Sequence, residues 1–115
     1  MKLPAAERSV IVPSKIRDYL LSTSHPVGRF KVPFFISLGY TSANWRRPEE
    51  DLLALAVSGD AELSKSSPYG HGQKYEIRGT LSGPSGRSAG VLTVWIILFG
   101  DEAPQLVTAF PGEMT

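Results

Sequence analysis

The spacing of hydrophobic residues changes near the middle of the chain, from a helical period to the alternation of strands. From Gln73 to Leu81 apolar and polar residues alternate, which predicts a half-buried strand. Ser88 to Phe99 is apolar on both faces in its second half and predicts a central strand. Gln105 to Phe110 predicts a third strand, and glycine- and proline-containing turns separate the three segments. The polar members of the first strand share one face: Lys74, Glu76, Arg78 and Thr80.

Two helices are predicted in the first forty residues. Ser14 is a favourable N-cap, and Lys15 to Leu21 follows it with its apolar residues on one face. A second helix is expected to begin between Phe30 and Pro33, because proline is tolerated in a first turn. Gly39 is expected to end this helix in the position that favours a left-handed backbone.

The third predicted helix has the clearest start. Arg47 is followed by Pro48, which suits a first helical position, and then by three carboxylates that favour the positive end of a helix dipole. Leu52 to Val57 continue this helix and Gly59 ends it. Ahead of all three helices, Ser9 to Val12 could pair on a sheet edge or pack against a helix.

The order of these elements predicts the fold class. Helices followed by antiparallel strands make an α+β domain, with two or three N-terminal helices packed on one face of a C-terminal antiparallel sheet of three to four strands. No repeat, low-complexity tract or linker interrupts the sequence, so residues 1–115 are expected to form a single domain. That length is sufficient for one hydrophobic core.

Composition excludes several classes of function. The chain has no cysteine, which excludes a disulfide framework, a thiolate metal site and a cysteine nucleophile. With only two histidines a zinc site is not expected, and no metal or other cofactor is predicted. The longest apolar run, Val94 to Phe99, is too short to cross a membrane, and the N-terminus has no signal-peptide pattern. We therefore expect a cytoplasmic protein with no membrane partner.

The net charge of +1 conceals an asymmetry between the two halves of the chain. Up to Arg47 there are eight basic and two acidic residues, a net charge of +6. From Pro48 onward there are four basic and nine acidic residues, a net charge of −5. A positive field on one part of the surface favours anionic partners such as RNA. A solvated basic face without a ligand explains the same counts.

The loop from His25 to Lys31 (HPVGRFK) contains most of the candidate chemistry. It places His25, Arg29 and Lys31 just ahead of the second predicted helix, where unpaired backbone amides already favour anions. His25 titrates near neutral pH and is therefore a candidate general acid or base. An ordinary interhelical loop with exposed charges is the structural alternative. His71, in a glycine-flanked loop, is a weaker candidate than His25.

Three residues of the predicted sheet are further candidates. Thr93 and Trp95 share a parity on the central strand, and Thr108 lies inside the last strand. On the sheet face opposite the helices, a threonine hydroxyl could bind a phosphate and Trp95 could stack on a base. Threonine and tryptophan are also good strand formers, so a role in core packing is the alternative.

Short motifs along nearly the whole chain resemble those of a family of small bacterial domains of unknown function. The matching segments follow one another from the N-terminus to the last strand. They are Leu3-Pro4-Ala5-Ala6-Glu7, Tyr19-Leu20-Leu21, His25-Pro26-Val27-Gly28-Arg29-Phe30-Lys31, Phe35-Ile36-Ser37-Leu38-Gly39-Tyr40, Thr93-Val94-Trp95 and Val107-Thr108-Ala109-Phe110-Pro111.

That family is similar in layout to the barnase, EndoU, colicin and RelE-like superfamily of toxin nucleases. The resemblance implies an active site on the open face of the sheet and RNA cleavage without a metal, by attack of the ribose 2′-OH on the phosphate. It implies catalytic roles for His25, Lys31 and Thr108. Substrate contacts would come from Arg29, Thr93 and Trp95. It also implies a cognate antitoxin or immunity protein.

A non-catalytic binding module is the second hypothesis. Phe30 stands where a second histidine is common in the family, and the chain contains few groups that could transfer protons at neutral pH. An antitoxin or immunity-type partner, or an RNA-binding domain without cleavage, would fit this composition. Such a module would form a tight complex and would leave RNA strands intact.

Overall fold

The structure is a computed structural model that describes residues 1–12, 16, 32–63 and 72–112 of the chain. The described part has two α-helices followed by four strands, which confirms the α+β class. The helix predicted from Lys15 to Leu21 lies outside the described residues, apart from Ile16. The elements in chain order are α1 (Val32–Ser37), α2 (Arg46–Ser58), β1 (Ala61–Leu63), β2 (Gly72–Ser82), β3 (Ser88–Leu98) and β4 (Gln105–Pro111).

Helix α1 ends where the sequence predicted. Gly39 has a φ of +96°, a left-handed conformation that glycine adopts without steric cost. Its N–H donates to the Ile36 carbonyl at 2.8 Å, and the N–H of Tyr40 donates to the Phe35 carbonyl at 3.1 Å. These two bonds form a Schellman motif, which satisfies carbonyl groups that the end of the helix leaves unpaired.

Helix α2 begins earlier than predicted. Its first residue is Arg46, so Pro48 occupies the third helical position and not the first. The reason is a 3-10 turn, Ser42–Asn44, which leads almost directly into the helix. A reciprocal capping box between Thr41 and Asn44 fixes the start of this turn. Proline is tolerated at the third position because the first turn has no intrahelical use for its N–H. In the described part of the chain, neither helix is long and apolar enough to cross a membrane.

The four strands form one antiparallel sheet in the order β1-β2-β3-β4. The three longer strands lie within one residue of the predicted limits at each end. Strand β1 was not predicted, since three residues are too few to show an alternating pattern. Strand β3 lies inside the sheet, with β2 along one edge and β4 along the other.

The hydrophobic core lies against one face of the sheet. Each strand contributes the side chains that point to this face, and α1 and α2 contribute Phe35, Leu38, Leu52 and Ala56 to the same cluster. Helix α2 packs closely on β2 at Gly79, where a Cβ would lie 2.5 Å from a methyl group of Leu55 and the leucine side chain would have to move. The core residues of the sheet are Ala61, Tyr75, Ile77, Leu81, Val91, Trp95, Leu106 and Ala109.

The N-terminal segment reaches from one edge of the sheet to the other. At one edge, the N–H of Ala61 in β1 donates to the Met1 carbonyl at 2.6 Å. At the other edge, Val10 forms a parallel bridge with Gln105 of β4. The first of the two arrangements predicted for Ser9 to Val12, pairing on a sheet edge, is therefore the one observed. This pairing covers backbone groups that an edge strand would otherwise expose.

The turn between β2 and β3 docks on the end of α1. The N–H of Ser85 donates to the Leu38 carbonyl, and the Ser85 hydroxyl donates to the Ser37 carbonyl, both at 3.0 Å. Gly83 makes this approach possible, because a Cβ on it would lie 1.9 Å from the Leu38 carbonyl oxygen. The turn thus satisfies two further carbonyls at the C-terminal end of the helix.

Candidate functional site

The face of the sheet opposite the core, here called the outer face, carries most of the polar side chains of the strands. Successive side chains of a strand point to opposite faces, so the outer face follows directly from the strand pairing and the core parity. Polar residues of β2 lie on one side of an apolar row from β3. The outer-face residues are Lys74, Glu76, Arg78 and Thr80 of β2, Leu92, Val94, Ile96 and Leu98 of β3, and Thr108 and Phe110 of β4.

Thr108 lies on the outer face in a row that crosses the sheet. Its Cα partner is Val94 of β3, whose partner on the other side is Glu76 of β2. Glu62 of β1 pairs in turn with Glu76, so the row ends in two carboxylates. Across the described ranges, no three His, Cys, Asp or Glu side chains come together in a way that could hold a metal ion.

A β-bulge determines the direction of Thr108. Trp95 pairs with Leu106 but its neighbour Val94 pairs with Thr108, so Val107 is an extra residue in β4. Leu106 faces the core, and strict alternation would send Thr108 to the core as well. The extra residue reverses the parity, so that Ala109 faces the core and Thr108 lies on the outer face, half-buried.

Thr93 and Trp95 do not lie on the sheet face opposite the helices, where the sequence analysis considered contacts with a phosphate and a base. Both are completely buried on the core side of β3. The indole N–H of Trp95 donates to the Thr93 hydroxyl oxygen at 2.8 Å, and this hydroxyl donates to the Ile77 carbonyl at 3.0 Å. In this structure neither side chain can reach a phosphate or a base. Their placement corresponds to the core-packing alternative.

The candidate residues of the basic loop, His25, Arg29 and Lys31, lie outside the described residues, as does His71. The first described residue after the loop is Val32, which begins α1 and is 2% exposed. The roles of the loop residues therefore stay predictions from the sequence.

The sequence analysis did not select Lys74, Glu76 and Arg78 as site residues, although their alternation was visible. They follow one another at every second position of β2, and so lie about 7 Å apart along one face. An ammonium and a guanidinium group can bind phosphate oxygens, and a carboxylate between them can accept a proton. Glu76 is half-buried and Arg78 is exposed. The outer face therefore combines cationic, proton-accepting and hydroxyl groups.

A second polar cluster joins the end of α1 to α2. The buried phenol of Tyr40 donates to Oδ2 of Asp51 at 2.6 Å, and Nε of Arg47 donates to the same oxygen at 3.1 Å. Burial, reinforced by the hydrogen bond to Asp51, holds the pKa of Tyr40 above its usual range. The phenol therefore stays protonated at neutral pH and acts as a hydrogen-bond donor between the two helices.

Comparison with solved structures shows a fold relative of nearly equal extent. The chain is similar to one in the contact-dependent growth inhibition toxin–immunity protein complex from Klebsiella pneumoniae 342, with a TM-score of 0.65 and 13% identity. The match covers 95% of this chain and 97% of that chain. At this level of identity the similarity concerns the fold. No curated protein matches the sequence. The family model described as "Domain of unknown function (DUF6883)" matches residues 2–113, and the chain belongs to this family.

Proposed function

We propose that the protein is a metal-independent endoribonuclease toxin of a bacterial toxin–antitoxin or polymorphic-toxin system. The observation that carries the proposal is the fold similarity, across almost the whole of both chains, to a component of a growth inhibition toxin–immunity complex. The side chains of the outer face support the proposed chemistry. The segregated positive charge of the N-terminal half supports an RNA substrate, met in the cytoplasm.

The proposed reaction needs a proton acceptor, a proton donor and groups that bind the phosphate. A base removes the proton of the ribose 2′-OH, the 2′-oxygen attacks the phosphorus, and an acid protonates the departing 5′-oxygen. His25 is proposed as one proton carrier, and Glu76, which lies in the same row as Thr108, is proposed as the other. No step of this sequence requires a metal ion.

Phosphate binding is assigned to two groups of residues. Arg29 and Lys31 of the basic loop are proposed to clamp the phosphate, since charge-assisted hydrogen bonds to phosphate are the strongest available to side chains. Thr108 is proposed to donate its hydroxyl to a non-bridging oxygen from the outer face. Thr93 and Trp95 have no part in this proposal, because both are buried in the core.

The first test is cleavage of total RNA and tRNA by the purified protein in EDTA. We expect cleavage by the parent, and a loss of at least about 100-fold in the His25→Ala/Lys31→Ala variant, the usual scale for removing a general acid or base. Thr108→Ala and Glu76→Gln should each lower the rate. Ser37→Ala, which removes an exposed hydroxyl bonded only within α1, is the matched control.

Two results would count against the proposal or its details. If the folded parent cleaves neither total RNA nor tRNA, the protein does not have the proposed enzymatic function. If the parent and the double variant cleave at equal rates, His25 and Lys31 do not have the assigned roles. Growth arrest on expression, relieved by the product of a neighbouring gene, would instead support the toxin role independently of the RNA substrate.

A non-catalytic partner, such as an antitoxin, an immunity-type protein or an RNA-binding domain, is the second candidate function. The complex that contains the fold relative comprises both a toxin and an immunity protein, so the similarity supports either role. This candidate predicts a stable complex with a protein or RNA and no strand scission. A folded, non-toxic parent that binds RNA or a protein partner in EDTA without cleavage would favour it.

A further inference from the structure

Phe110 carries the aromatic ring among the described side chains of the outer face. It follows Thr108 by two residues on β4, so the two side chains share this face and lie about 7 Å apart along the strand. The bulge at Val107 determines the direction of Phe110 as well, because Phe110 also comes after the inserted residue. An aromatic ring therefore lies beside the threonine to which a phosphate contact is assigned.

The row that Phe110 forms across the sheet ends in a guanidinium group. Phe110 pairs with Leu92 of β3, and Leu92 pairs with Arg78 of β2. Leu92 is only 7% exposed, whereas Phe110 is half-buried and Arg78 is exposed. The surface of this row that a ligand can reach therefore belongs to the ring and to the guanidinium group.

Arg78 keeps its donors for a ligand. Among the residues that the structure describes, Arg78 forms no ion pair. Glu76 lies two residues away on the same face, about 7 Å along β2, and is not its partner. A planar guanidinium group can bind a phosphate or stack on the face of a base. The two ends of this row thus suit the parts of a nucleotide.

We propose that Phe110 and Arg78 bind the nucleobase next to the scissile phosphate, and that the outer face takes single-stranded RNA as its substrate. This assignment rests on the proposed function and names the class of its substrate. A base inside a duplex is stacked between its neighbours, so a side chain cannot reach its face. An unpaired base exposes that face and stacks on aromatic rings or on arginine, and a sheet can supply both.

The position of the ring determines on which side of the phosphate the base lies. Phosphate contact is assigned to the row of Thr108, and the row of Phe110 and Arg78 is the next one along the strands. On the other side of the phosphate, β2 and β3 supply Lys74 and Ile96 and no aromatic ring. A nucleotide whose phosphate lies at Thr108 therefore stacks its base toward Phe110.

Packing of Phe110 against Leu92 is the alternative explanation for an aromatic residue at this position. Packing requires an apolar side chain of similar size, whereas stacking requires a ring. Phe110→Leu distinguishes the two, because it keeps an apolar side chain and removes the ring. If Phe110 only packs, this variant changes the free energy of unfolding and leaves RNA binding as it is in the parent.

The test compares a short single-stranded RNA of mixed sequence with the same strand annealed to its complement, both in EDTA. We expect the parent to cleave the single strand with a kcat/KM at least about tenfold higher, because the duplex must first open. Phe110→Leu should raise KM about fivefold or more and leave kcat within about twofold, since the ring binds the base and transfers no proton.

The matched control is Phe99→Leu, the same substitution at a ring that is 71% exposed in the turn after β3. It should leave KM and kcat unchanged. Arg78→Lys is a second variant at an exposed position, where the fold does not depend on the side chain. It keeps the charge and removes the planar group, so it should weaken binding of the single strand about twofold to fivefold.

A 2′-O-methyl strand of the same sequence separates binding from cleavage, because its 2′-oxygen has no proton to lose. Weaker binding of this strand by Phe110→Leu, with no cleavage of RNA by the parent, would support the base subsite and contradict the enzymatic function. Equal affinity of the parent, Phe110→Leu and Arg78→Lys for it would overturn the base subsite, even where the parent cleaves RNA. Equal cleavage of the single strand and the duplex would also overturn it.

Discussion

Trp95 has the largest of the completely buried side chains in the described part of the protein, and its indole N–H requires an acceptor in the core. Thr93, two residues earlier on the same face, supplies that acceptor and donates its own proton to the Ile77 carbonyl. The Thr-Val-Trp motif is thus explained by hydrogen bonding within the core. A buried threonine here stabilises the tryptophan and is not available for a ligand.

Removing this acceptor should destabilise the protein measurably. Thr93→Val keeps the shape of the side chain but leaves the indole N–H buried without a partner, a cost of about 1–3 kcal/mol in the free energy of unfolding. Urea denaturation of the parent and the variant measures this difference. Thr93→Ser retains the hydroxyl and should lose only about 1 kcal/mol for the missing methyl group.

A double-mutant cycle separates the hydrogen bond from packing. In a Trp95→Phe background no indole N–H remains, so Thr93→Val should cost much less than it does in the parent. Equal costs in the two backgrounds would mean that the Thr93 hydroxyl serves the Ile77 carbonyl alone, and the explanation of the motif would be wrong.

The sequence could show that Thr93 and Trp95 share a face, but it could not show which face. Alternation determines relative direction, and β3 is apolar on both sides in its second half, so neither side is marked as solvent-facing. The sequence therefore left ligand contacts on the outer face and packing in the core as alternatives for Thr93. Only the tertiary structure shows that the hydroxyl is needed inside, beside the indole.

At the scale of elements, local patterns account for most of the secondary structure that could be predicted. Strands β2, β3 and β4 show period-two alternation or long apolar runs, and Gly39 marks the end of α1 by its conformational freedom. The bulge in β4 has no such pattern, because a single inserted residue changes the parity only of the residues after it. The outer-face position of Thr108 was therefore not derivable from alternation.

Deletion of Val107 tests whether the bulge serves the site or only the fold. Without this residue, Leu106, Thr108 and Ala109 would keep their present partners in a regular ladder. We expect a folded variant whose free energy of unfolding lies within about 2 kcal/mol of the parent. RNA cleavage should fall, because the local twist that directs the Thr108 hydroxyl would change.

Deletion of Ala109 is the contrasting control. It leaves the bulge in place but moves Phe110 into the core position that the smaller Ala109 occupies. A shift of one residue reverses the direction of every later side chain in the strand. This variant should lose more than about 2 kcal/mol, from overpacking and lost pairing. If the Val107 deletion retained full cleavage activity, the bulge would have no role in directing Thr108.

At the scale of the whole molecule, the N-terminal segment and the sheet stabilise each other. Leu3, Ala6 and Ile11 are buried in the same core as both helices and the strands. The backbone of this segment bonds to β1 at one end and to β4 at the other. Pairing of Ser9 to Val12 on a sheet edge was one of two predicted arrangements, but the strands that this segment bonds to could not be predicted, because the pairing joins residues separated by most of the chain.

Basic and acidic residues are unevenly distributed over the whole chain. Residues 13–31 contain four basic side chains and one acidic one, whereas residues 32–112 contain six basic and eight acidic side chains. The positive field is therefore concentrated toward the N-terminal half. On the outer face, the cations Lys74 and Arg78 are accompanied by Glu62 and Glu76. The proposed affinity for RNA must therefore come mainly from the basic loop.

The salt dependence of RNA binding tests this conclusion. Each phosphate contact that a cation makes contributes about 0.7–0.9 to the slope of log affinity against log salt concentration. With His25→Ala in every protein to prevent cleavage, Arg29→Gln/Lys31→Gln should lower the slope for tRNA by about 1.4–1.8. The control, Arg8→Gln/Arg87→Gln, removes the same charge at two exposed positions and should change the slope much less.

Equal changes in the two double variants would mean that RNA responds to overall charge and that the loop is not a phosphate clamp. A parent whose affinity is independent of salt would not be binding RNA through its phosphates, and the basic half would then be a solvated surface.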